Sequence, residues 1–96
     1  MELFIFARFH AQEGNEKTIE ALLREQIPKA RTEPGCISIH AYCTTNDPRL
    51  FWIHSRWIDE AAFNVHAELP NTVSFVERME PLIDHPFDAR RARSLG

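Results

Sequence analysis

Cysteine is scarce, with two residues in 96. Cys36 and Cys43 stand seven positions apart on a stretch that alternates like a strand, about 23 Å at strand rise and outside disulfide reach. Neither has the spacing of a metal knuckle or a redox pair, so both read as buried or half-buried thiols. Basic charge is also short: eleven Lys and Arg face fourteen Asp and Glu, for a net charge of −3 and a pI near 5.9. That excludes the electrostatic footprint of a nucleic-acid binder. No apolar run approaches the roughly 20 residues of a membrane helix, and the N-terminus carries neither a basic segment nor a leader cleavage site. The expectation is a cytoplasmic chain with no membrane partner. Internal repeats, low-complexity tracts and linkers are missing too, which predicts one domain over residues 1–96. A domain of this size covers only a modest part of its own surface, so an oligomer is expected.

What the chain has is alternation. Leu50 to Trp57 sets Phe51, Ile53, Ser55 and Trp57 against Trp52, His54 and Arg56, as a strand between two different surroundings would. Asp59 is placed to cap a helix, Glu60 suits its positive end, and Ala62, Phe63 and His66 share one helical face. Trp57 and His66 are thus predicted to converge over one sheet surface. Earlier, Glu2 to Ala11 alternates Leu3, Ile5, Ala7, Phe9 and Ala11 with Phe4, Phe6, Arg8 and His10. The first set is apolar, and the second mixes rings with cations as a self-pairing surface would.

Asn15 is a candidate N-cap for a long amphipathic helix through Ile19, Leu22, Leu23, Ile27 and Ala30, with a bend expected at Pro28 and an end at Thr32-Glu33-Pro34-Gly35. Cys36 to Thr44 then alternates Ile37, Ile39, Ala41 and Cys43 with Cys36, Ser38, His40 and Tyr42. A polar turn, Thr45 to Arg49, joins it to the next strand as a hairpin, with His54 the central choice opposite His40. Past His66, Asn71 is read as the cap of a second helical segment through Val73, Phe75, Val76 and Met79, closed by Pro81 and Pro86. Phe87 to Leu95 is left as a polar edge strand. There Arg90, Arg91 and Arg93 read as charges that guard an edge.

The order strand, helix, strand, strand, helix, strand is the split βαβ pattern of an α+β, ferredoxin-like fold. Right-handed crossovers put the helices on one face of a four-stranded antiparallel sheet, over Ala7, Ile39, Ile53 and Trp57. The other face, with Phe4, Phe6, His10, His40, Tyr42, Trp52, His54 and Arg56, is expected to pair with the sheet of a second copy. His10, His40 and His54 could hold zinc only if their nitrogens came within about 2.1 Å of one point. Strand-borne imidazoles project in parallel and no carboxylate accompanies them, so packing in a dimer is preferred and no metal is assigned.

Glu33-Pro34-Gly35-Cys36 after a long helix, followed by Phe51 and then Trp57-x-Asp59-Glu60-Ala61-Ala62-Phe63-x-x-His66, resembles the antibiotic biosynthesis monooxygenase family over about residues 2 to 84. The resemblance implies a dimeric ferredoxin-like α/β barrel with a pocket between sheet and helices. It also implies cofactor-independent oxidation of phenols or quinols to quinones by dioxygen. Other members isomerise small signalling molecules, degrade haem or have no assigned activity. Ser55 departs from the pattern, standing where many members carry a glutamate. Ala7 and Val76 stand where the haem-degrading branch has its asparagine and ligand histidine, so no haem and no other cofactor is expected.

On the residues themselves, His66 suits a base or hydrogen-bond partner for a phenolic oxygen, because histidine titrates near neutrality. Trp57 suits a stacking wall with an indole N–H to donate. Ser55, Ala7, Phe63 and Ile53 are the expected substrate contacts. The blander readings stay open: Trp57 as a core ring sealing a helix–sheet junction, His66 as a buried histidine satisfied by backbone. Three functions follow: a monooxygenase acting on a small aromatic substrate, an isomerase or lyase with His66 as base, and a non-catalytic ligand-binding or stress-response dimer.

Overall fold

In the computed structural model, which describes residues 1–96, the elements run β1 (Leu3–His10), α1 (Glu16–Arg31), β2 (Cys36–Thr44), β3 (Asp47–Trp57), α2 (Glu60–Glu68), α3 (Pro70–Met79), a 3₁₀ turn (Glu80–Leu82) and β4 (Asp88–Ala92). The sheet order is β2-β3-β1-β4, with every neighbouring pair antiparallel. This is the ferredoxin-like arrangement, with a helix ending before Pro70 and a second helical segment after it, as the sequence predicts. Pro70 explains the break. It sits at the first position of α3, where its missing N–H is no loss and its fixed φ suits the helix, so Leu69 and not Asn71 is the capping residue.

The alternation of β1 and β3 sorts the two faces. Rungs Ile5–Ser55, Ala7–Ile53 and Phe9–Phe51 point to the helices and are buried. Rungs Phe4–Arg56, Phe6–His54 and Arg8–Trp52 point away, and Phe6 and Trp52 stay exposed. α1 lays Ile19, Leu22, Leu23, Ile27 and Ala30 on the first face and runs unbroken through Pro28. Gln26 joins that buried stripe, a polar residue among apolar ones. Asn15 stands just before α1 without a capping bond; its Nδ2 donates instead to the Leu82 carbonyl at 3.4 Å.

β2 departs from strict alternation. Cys36 pairs with Trp57 and Ser38 with Arg56, so Ile37 is the extra residue of a bulge. One added residue reverses the faces before it. Cys36 therefore packs toward the core while Ile37 is exposed, the opposite of simple alternation. The hairpin turn shrinks to Thr45-Asn46, because Asp47 to Arg49 belong to β3. His40 does face His54. The last strand is shorter than expected, ending at Ala92.

Candidate active site

The corner after β3 is built by local rules. Asp59 is extended and its carboxylate accepts the Ala62 N–H at 2.8 Å, which starts α2 and folds it back over the strand end. Trp57, fully buried, meets the His66 ring at 4.6 Å between centroids and Phe63 edge-on at 5.7 Å. The predicted convergence of Trp57 and His66 is present. The indole N–H does not point at a ligand, however: it donates to Ser55 Oγ at 3.0 Å, two residues away on the same face.

His66 is oriented by a residue that sequence reasoning passed over. Its Nδ1 lies 2.7 Å from Oε1 of Glu33, in the loop between α1 and β2. With Nδ1–H donated to a carboxylate, Nε2 is left as the free, accepting nitrogen. Gly35 makes this approach possible. Its φ is +86°, and a Cβ there would lie 2.6 Å from Ala62 Cβ and 3.2 Å from Ile58 Cγ1. The Gly35 carbonyl accepts the Ile58 N–H at 2.9 Å, which pins the loop to the end of β3. Its trace in the sequence is an acid beside a Pro-Gly turn, Glu33-Pro34-Gly35.

Between helices and sheet lies an apolar cavity of about 150 Å³. Ala7, Ile53, Ser55, Phe63 and His66 are all in its wall. Trp57 is not, because it is packed behind His66 as a support. Gln26 from α1 and Thr72 from α3 complete the polar part of the lining, and neither was anticipated. Both were visible in principle as polar residues inside apolar helical stripes, Gln26 between Leu22 and Ala30, and Thr72 three positions before Phe75. A larger groove of about 440 Å³ runs between α1 and the β2 edge, but it opens to solvent and cannot exclude water from a reaction.

The three strand histidines do not converge. His10 pairs with Leu50, four rungs from His54, and turns to the segment before β4. There the Nδ1 atoms of His10 and His85 each lie 2.6 Å from Asp84 Oδ1, and Arg49 donates to Oδ2 at 2.8 Å. Those hydrogen bonds, from His10 first and also from His85, hold the Asp84 carboxyl at about 2. The ligand atoms of His10, Asp84 and His85 lie within 4.8 Å of one another, but with Arg49 on the second oxygen the carboxylate is fully engaged. His54 instead packs beside Phe6, 4.9 Å between centroids, on the open face.

Comparison with known proteins bears on this corner. An uncharacterised protein of Synechocystis, sll1783, is 31% identical over 70 residues, which is 73% of this chain and 48% of that protein. The chain thus spans about half the length of that curated relative. The structure of Rv0793 from Mycobacterium tuberculosis superposes with a TM-score of 0.94 at 21% identity, covering 100% of this chain and 97% of the other. An antibiotic biosynthesis monooxygenase of known crystal structure superposes at 0.91 with 20% identity, covering 98% and 99%. At those identities the superpositions establish the fold alone. The family profile described as antibiotic biosynthesis monooxygenase matches residues 3–78, from β1 through α3 and so across Glu33, the Trp57 corner and His66. The chain belongs to the antibiotic biosynthesis monooxygenase family.

Proposed function

We propose that this protein is a cofactor-independent monooxygenase that oxidises a small phenol or quinol to a quinone with dioxygen. The observation that carries the reading is His66, tied through Nδ1 to a nearly buried carboxylate and set in the wall of an apolar cavity. A dry apolar cavity of roughly 150 Å³ holds one benzene ring in another protein, so a single-ring substrate matches the space. His66 Nε2 accepts the phenolic proton, and the Glu33 carboxylate offsets the charge that appears on the ring, as an acid behind a histidine base does elsewhere. Ala7, Ile53 and Phe63 wall the ring, Ser55 Oγ faces a polar substituent, and Trp57 holds the imidazole from behind.

The phenolate, stripped of water by those walls, passes an electron to dioxygen. The two resulting radicals couple at a ring carbon, and the oxygen–oxygen bond then breaks. One oxygen stays as the new ring carbonyl and the other leaves as water. A phenol supplies four electrons in becoming a quinone, and a hydroquinone supplies four in becoming a hydroxyquinone, which is all that dioxygen needs, so no outside reductant enters the balance.

The reading includes a second copy of the chain on the open sheet face. Phe6, Tyr42 and Trp52 are 47%, 51% and 36% exposed there, an apolar patch that a partner would cover. Two unpaired cysteines fit a reducing, cytoplasmic setting.

The test is oxygen uptake with a panel of hydroquinones and phenols, the product followed by its quinone absorbance. One oxygen molecule per quinone is expected, with one atom of labelled dioxygen in the product. His66→Ala is expected to lower the rate by about 100-fold. Uptake no faster than autoxidation rejects the reading.

A further inference from the structure

Three segments that are distant in sequence meet at the end of β1, where His10 belongs to the set of side chains that points away from the helices. The backbone fixes the meeting. The Asp84 N–H donates to the His10 carbonyl at 3.0 Å, the Ala11 N–H donates to the Arg49 carbonyl at 2.8 Å, and Ala11 bridges Ile83. His10, Asp84 and His85 are thereby brought to one spot, with a ligand atom from each within 4.8 Å of the others. Asp84 Oδ1 is the centre, 2.6 Å from Nδ1 of His10 and 2.6 Å from Nδ1 of His85. None of these three side chains has a part in the proposed oxidation.

Two imidazoles and one carboxylate oxygen are ligand types that zinc and ferrous ions take. The surroundings supply what such ligands need behind them. Arg49 donates to Asp84 Oδ2 at 2.8 Å, and its own Nε donates to the Ala11 carbonyl at 3.0 Å, so the carboxylate is held with Oδ1 alone turned to the two rings. The hydrogen bonds on Oδ1 are the ones an ion exchanges for coordinate bonds. An ion on His10 Nδ1 sends the ring proton to Nε2, and Asp47 Oδ2 stands 3.9 Å from that nitrogen, on the side where a metal-bound histidine commonly has a carboxylate. Tetrahedral ligands about 2.1 Å from zinc lie about 3.4 Å apart, so each nitrogen–oxygen separation must lengthen by under about 1 Å. His85, with its side chain 69% exposed, has room to make that move. A cleft of about 260 Å³ bordered by Arg8, His10, Leu50, His85 and Pro86 leaves a fourth position to water or an outside ligand. Arg8 in its wall is already paired with Asp88 at 3.1 Å.

We propose that His10, Asp84 and His85 form a site for one divalent transition-metal ion of the zinc type, separate from the cavity that His66 lines. Magnesium and calcium do not suit it, because those hard ions take several oxygen ligands and the three side chains offer one. Seated there, the ion ties the end of β1 to the segment that leads into β4 and keeps one position open to the cleft. A hydrogen-bonded hub that binds no ion is the competing account of the same three residues.

Calorimetric titration of the tag-free, EDTA-treated full chain with Zn²⁺ separates the two, with Mg²⁺ as the control. One zinc per chain is expected, with no binding of Mg²⁺ and a melting temperature that rises as zinc is added. His85→Ala lowers zinc affinity at least about tenfold, and its melting temperature without zinc stays close to that of the parent because the side chain is exposed. Asp84→Asn loses zinc affinity as well. His54→Ala, opposite Phe6 on the open face, leaves it unchanged. The inference is overturned if zinc does not bind, if it binds without saturating at one per chain, if His85→Ala binds it as tightly as the parent, or if His54→Ala loses as much as His85→Ala. Should Asp84→Asn fail to fold, His85→Ala decides alone. No readout involves turnover, so this outcome and that of the oxidation test are independent.

Discussion

Glu33 Oε1 and His66 Nδ1 lie 2.7 Å apart across 33 positions of sequence, with both side chains nearly buried at 10% and 12% exposure. Glu33 Oε2 is buried without a partner, so the bond to His66 is the only side-chain hydrogen bond this carboxylate makes. A buried carboxylate with one donor is poised to respond to charge on that donor.

Replacing Glu33 with Gln keeps the size and an accepting oxygen while removing the charge. Turnover of hydroquinone is expected to fall by about 100-fold, with KM within a few-fold of the parent, because the loss is felt when the imidazole takes up a proton. Oxygen-electrode kinetics read both constants. A rate within twofold of the parent leaves Glu33 with a structural role only.

Gly35 and Gly14 form a matched pair for the loop that delivers Glu33. Both have positive φ, +86° and +94°, but a Cβ at Gly14 meets nothing within 4 Å while one at Gly35 meets Ala62 Cβ at 2.6 Å. Gly14→Ala is expected to cost about 1 kcal/mol for the backbone alone. Gly35→Ala adds a clash and is expected to cost about 3 kcal/mol, near the upper end for single substitutions. Urea denaturation compares them, and equal losses would show that the close approach to α2 contributes nothing.

Asp84 makes the protein acid-sensitive in a defined window. Its carboxyl is lowered from 3.8 to about 2 in the fold, chiefly by the His10 hydrogen bond and then by His85. A depressed carboxyl contributes stability that is fully present above its unfolded value and lost as pH falls through the folded one. Stability owed to Asp84 is therefore expected to fall as pH drops below about 4 and to be fully lost only once pH is below about 2. Asp84→Asn should be less stable than the parent at pH 7, with most of the difference gone at pH 2, as thermal melts across that range would show. A constant difference from pH 7 to pH 2 assigns the effect to packing instead.

The open face offers a test of assembly. Phe6 sits beside His54, with Arg90 its partner on β4, so Phe6→Lys adds a third cationic or titratable group to one patch. The parent is expected to sediment as a dimer and the variant, at the same concentration, as a monomer. Equal dimer fractions for parent and variant would place the contact elsewhere.

Much of the fold was legible because its rules are short-range. Period-two alternation in β1 and β3 assigned faces, and Asp59 capped α2 as its type and position predict. The proximity of Trp57 and His66 followed from those two elements, since they are nine residues apart on either side of one corner. Where local signals competed, the reading slipped. Pro70 at the first turn of α3 outweighed Asn71 as a boundary, and the bulge at Ile37 reversed the expected placement of Cys36.

By itself, then, the sequence determined the order of the elements, the two faces of β1 and β3 and which aromatic ring meets His66, because each depends on residues close together in the chain. Only the tertiary structure decided that Glu33 reaches His66, that Trp57 supports the cavity rather than lining it, that His10 turns to Asp84 and that Gln26 Nε2 and Thr72 Oγ1 are buried without a partner. Those outcomes depend on how a loop and three helices settle on the sheet. Ångström-scale differences in that packing determine which polar atom finds a partner, and no local pattern of residue types carries that information.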